Sequence, residues 1–113
     1  MNRIIEEHES LDGLLRFLVL KDKSGDISLG FDKYSWHTHA DILAELSGKS
    51  EAVAVRQFVD DLLQDRSIIA IERVGSEIQR VWITDDPRID KYKPAEATME
   101  FRRWSGQRVV VNK

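Results

Sequence analysis

A chain of 113 residues, 42% hydrophobic and 33% charged, has room for one domain around one small core and the composition of a sequence that folds. The lack of cysteine excludes a disulfide framework and thiolate metal centres, and runs such as Phe17 to Leu20 are too short to cross a bilayer, so no membrane partner is expected. The net charge of -3 conceals opposite ends: Glu6, Glu7, Glu9 and Asp12 early in the chain, Arg102, Arg103, Arg108 and Lys113 late in it. With acidic residues in place of a charged-then-apolar leader, the expected compartment is the cytoplasm.

In chain order, the first residues read as a short frayed helix. Ile4, His8, Leu11, Leu15 and Leu18 fit a helical stripe, which Gly13 interrupts before Phe17, Val19 and Leu20 suit a pleated surface. The apolar runs on either side of Lys23, Ser24, Gly25 and Asp26 predict a first hairpin. "KYSWHTHADILAEL" then leads into a helix from about His39 to Leu46, with Thr38 or its neighbour as cap, Asp41 in the first turn and Ile42, Leu43 and Leu46 on one face. Gly48 stops it and Ser50 caps a second helix, where Val55, Phe58, Val59, Leu62 and Leu63 form the inward stripe. Ile68 to Val74 and Glu77 to Thr84 predict a second hairpin around Gly75, before Pro87 breaks the chain. Thr98 to Trp104 and Arg108 to Asn112 predict a third around Gly106. The expected fold is a single α+β domain over residues 1–113: a mainly antiparallel sheet of about six strands with a helix pair packed on one face, and Phe58, Leu62 and Ile69 buried.

From residue 39 to 84 the order of helix, turn, helix and hairpin resembles a winged helix-turn-helix. That resemblance implies a second helix reading the major groove, or a transcription-associated module. Between His37 and Asp86, however, only Lys49, Arg56, Arg66, Arg73 and Arg80 oppose ten carboxylates. A helix presenting Asp60, Asp61 and Asp65 is repelled by a duplex, so nucleic acid is not the expected partner.

Catalytic motifs are thin. There is no Gly-x-Ser-x-Gly elbow, and "GKS" at Gly48 to Ser50 has Leu43 where a phosphate-binding loop needs glycine. His37, His39 and Asp41 have the spacing of metal ligands, but with His8 as the only other histidine they are expected to form a helix entrance, with neither metal nor cofactor required. Trp36, His37 and His39, together with Arg102, Arg103 and Trp104, are instead the candidate partner-binding residues, since tryptophan and arginine dominate protein interfaces. A competing reading has Phe101 and Trp104 closing the core under the arginine stems. The expected function is a non-catalytic interaction domain of accessory, adaptor or toxin-neutralising type, binding another protein or a second copy of itself.

Overall fold

The computed structural model describes residues 2–85 and 96–110. The order is β1 (Arg3–Glu9), β2 (Arg16–Lys21), β3 (Ile27–Phe31), β4 (His37–His39), α1 (Ala40–Ser47), α2 (Glu51–Leu63), β5 (Ile68–Val74), β6 (Glu77–Thr84) and β7 (Ala97–Arg102). The class is α+β and every pairing is antiparallel, but among the described residues the strands are seven and divide into two sheets, in the orders β1-β2-β3-β4 and β6-β5-β7.

The first correction lies at the start of the chain. Residues 3–9 are an edge strand paired with β2, not a frayed helix, and a register shift between Ile4 and Glu6 breaks the alternation that would otherwise mark a strand. The third hairpin is also reduced. β7 ends at Arg102, and the returning chain makes an isolated bridge from Arg108 to Arg102, with the Val109 N–H donating to the Phe101 carbonyl. Pro87 and Asn112 lie outside the described residues.

Alternation in β2 and β3 sends Phe17, Val19, Leu29 and Phe31 inward, where they meet Val55, Val59 and Leu62 of α2 and Ile69, Ile71 and Val81 of the second sheet. The stripe expected on α2 is therefore the one turned inward, although Leu63 and Phe58 are only half-buried, the Phe58 ring stacked 6.3 Å from that of Phe17. Leu62 and Ile69 are fully enclosed. On α1 Ala40 is fully buried in the core and Leu43 packs at its margin, while Ile42 and Leu46 face solvent. Gly48 ends α1 in the left-handed region at φ 71°, and the Ser50 hydroxyl accepts from the Val53 N–H to cap α2. Of the two capping positions expected for α1, Thr38 or its neighbour, it is the neighbour that caps. Thr38 is committed to β4 opposite Leu29, and His39 is the capping residue without a side-chain hydrogen bond.

Candidate functional site

The outer surface of the first sheet is built by the same alternation that builds the core. Residues opposite one another form two rows across it: Ile4, Leu20, Ser28 and His39, then Glu7, Leu18, Gly30 and His37. Leu18 and Leu20 thus form an apolar floor on the side facing away from the core, and Ser28 and Gly30 leave space beside it. The result is an open hollow of about 400 Å³ whose lining includes both leucines, both histidines, Asp22 and Asp26. Gly30 is required by close approach: a Cβ there would stand 2.7 Å from the Trp36 carbonyl oxygen and 3.1 Å from the His37 Cβ.

His37 and His39 lie two apart on β4 and share this face, with ring centres 4.9 Å apart and planes at 83°. The Nδ1 of His37 is 2.9 Å from the carbonyl oxygen of Ser35. The Nδ1 of His39 is shut off from solvent without a hydrogen bond and faces the Asp26 carboxylate at 3.5 Å. Asp26 comes from the turn between β2 and β3, which Asp22 organises by accepting from the Ser24 N–H, the Ser24 hydroxyl and the Asp26 N–H. The Ser24 hydroxyl foremost, with these amides, holds the Asp22 carboxyl below its ordinary range despite the opposing desolvation.

Asp41 does not join the histidines. It is exposed in the first turn of α1, where its Oδ1 accepts from the Ile42 N–H, and no group of three His, Asp or Glu side chains able to hold a metal forms among the described residues. Trp36 is half-buried and packs its ring against Phe31 at 6.3 Å, so it supports the core margin from below while its backbone borders the hollow.

The C-terminal candidates are mostly internal. Arg102 is 3% exposed and Trp104 7% exposed. Arg102 donates to Asp12 Oδ2 at 2.7 Å and to the carbonyls of Arg103 and Trp104, while Trp104 belongs to the main core cluster. Arg103 is half-buried beside Asp65, whose carboxylate accepts from the Ser105 N–H and so ties this turn to the end of α2. On α2, Arg56 is held by both oxygens of Glu6, and Arg66, just past the helix, is held by its Asp61. The face that a groove-reading helix would turn to phosphate thus spends its arginines on carboxylates of its own chain.

Asp22, Asp26, Leu18, Leu20 and Gly30 are not among the site residues expected from the sequence, where Leu18, Leu20 and Asp26 figure only as parts of elements. One signal was available: in "RFLVLK" both alternating sets are apolar, and a strand apolar on both sides has two surfaces to account for. Among the described residues no helix is long and apolar enough to cross a membrane. Comparison with protein-family models, curated proteins and solved structures returns no match.

Proposed function

We propose that this chain is a non-catalytic interaction domain, of accessory, adaptor or toxin-neutralising type and cytoplasmic, that docks a protein partner bearing basic residues on the outer surface of its first sheet. The observation that carries the reading is the apolar floor of Leu18 and Leu20 in an open hollow rimmed by Asp22 and Asp26. Leu18 is already buried at 9% exposure and Leu20 half-buried, so it is the remaining exposed area of this strip that favours burial against another molecule, while carboxylates at the rim select and steer cationic side chains. Ile4, 48% exposed and opposite Leu20, extends the apolar strip toward the sheet edge.

The test is a photo-crosslinking amino acid placed at Leu20 and, as a control, at Val53 on the first turns of α2. A discrete adduct from position 20 that is lost in Asp22→Lys/Asp26→Lys supports the reading. Equal labelling from position 53, or an adduct indifferent to those reversals, overturns it. A crosslink joining two copies assigns the partner role to the chain itself and likewise removes the basic partner.

A further inference from the structure

We propose that His37 and His39 form a two-histidine site for a late first-row divalent cation such as Ni²⁺, Cu²⁺ or Zn²⁺, with Asp26 supporting His39 and water completing the coordination shell. This site stands on the ring chemistry alone and does not rest on the docking reading above.

The argument starts from tautomers. The carbonyl oxygen of Ser35 can only accept, so the His37 Nδ1 beside it at 2.9 Å carries the proton and the lone pair is left on Nε2. The His39 Nδ1 is closed to water and has a carboxylate 3.5 Å away, where a lone pair would be repelled and an N–H attracted. It too carries the proton, leaving the lone pair on Nε2. Both imidazoles are therefore poised in the form that metals take, His37 backed by a carbonyl acceptor as ligating histidines usually are and His39 facing a carboxylate that a shift of a few tenths of an ångström would bring into hydrogen-bond range.

Spacing agrees. Metal–nitrogen distances of about 2.0 to 2.1 Å put each ring centre roughly 3.2 Å from the ion, so two rings in adjacent positions have centres about 4.5 to 5.2 Å apart. The rings on β4 are 4.9 Å apart. Imidazole suits nickel, copper and zinc, whereas two nitrogen donors offer little to calcium or magnesium. With no third side chain contributing among the described residues, affinity is that of a two-point chelate, and the open hollow leaves the remaining positions to water.

The untagged full-length chain is titrated with Ni²⁺ and with Zn²⁺ by calorimetry, and with Ni²⁺ while the histidine ring protons are followed by NMR. We expect saturable one-to-one binding, with His37 and His39 signals broadened by Ni²⁺ well before those of His8. His37→Gln and His39→Gln each weaken binding at least about tenfold, His8→Gln leaves it unchanged, and Asp26→Asn weakens it by about tenfold as second-shell losses do. Thermal melts establish that the variants fold. Should His39→Gln fail to fold, His37→Gln and the ring-proton broadening of the parent carry the test. No saturable binding up to about 1 mM ion, or parent affinity in His37→Gln, overturns the site. Parent affinity in Asp26→Asn overturns the role given to Asp26.

Discussion

Asp12 is 44% exposed at its side chain, yet its partner Arg102 is 3% exposed, and that asymmetry decides what each substitution costs. The guanidinium has been taken out of water and relies on the Asp12 carboxylate and two backbone carbonyls. Asp12→Asn removes the charge opposite a buried cation and is expected to lose about 2 kcal/mol by urea denaturation at pH 7, less than for a wholly buried pair because water reaches Asp12. The Arg102 guanidinium, followed by the Ser10 hydroxyl, holds the Asp12 carboxyl well below the usual carboxylate range, outweighing desolvation. A carboxyl depressed in the folded state contributes stability that is complete above its unfolded value, about 3.9, and drains away as pH falls toward the folded one. Stability should thus decline below about pH 4, and Asp12→Asn should flatten part of that decline, with Glu72, held low by Arg80, retaining its share. Gly30 offers a second residue-scale test. Gly30→Ala forces the Trp36 carbonyl and β4 aside and is expected to cost about 2 kcal/mol, read as a lowered melting temperature.

At the scale of elements, the bounds Ile68–Val74 and Glu77–Thr84 are readable in the sequence to the residue, because β-branched runs flank a Gly-Ser turn. The α2 stripe is equally plain, and so are the residues at its borders, Gly48 and Ser50. β1 is not legible. Its two isoleucines are adjacent, the register slips between Ile4 and Glu6, and the later apolar residues imitate a helix face that nothing in the fold uses. The short β4 fails for another reason, since three residues carry no period of their own and are strand only because Gly30 lets the chain close on β3. Two outcomes check the orientation of α2. Leu62→Ala, at a fully enclosed position, should cost about 3 to 4 kcal/mol, while Phe58→Ala, half-buried, should cost about 2 rather than the 3 to 5 that full burial would imply. Ser50→Ala should cost about 0.5 to 1 kcal/mol, since the capping hydrogen bond is 3.3 Å long.

For the molecule as a whole, the division into two sheets follows from pairings that local pattern does not encode. β5 takes β6 on one side and β7 on the other, so the strand placed centrally is decided by the late return of residues 97–102. The candidate site has the same origin. His37 and His39 are visible in the sequence as a pair, but Asp26 reaches them only because β3 pairs with both β2 and β4. The charge balance of α2 also operates at this scale, with Arg56 bound across to β1 and Arg66, just past the helix, bound back to its Asp61. Fluorescence anisotropy with a random duplex at low salt should accordingly show no saturable binding. Retention that falls steeply with salt and depends on Arg56 would restore the winged-helix alternative.

The contact from Asp12 to Arg102 joins residues 90 positions apart, and the turn it holds lies at the first bend of the chain. As the polypeptide leaves the ribosome, β1 to β4 and both helices emerge while the second sheet is still unmade, so Phe17, Val19 and Leu62 have no inner wall to meet. Sealing awaits β5 and β6, which bring Ile69, Ile71 and Val81, and then Trp104 beyond β7. Until those residues are made the apolar interior stands open, a period in which chaperones or aggregation compete for the chain. A ribosome-stalled chain released only through residue 85 should accordingly be protease-sensitive throughout, whereas one released past Trp104 should be resistant.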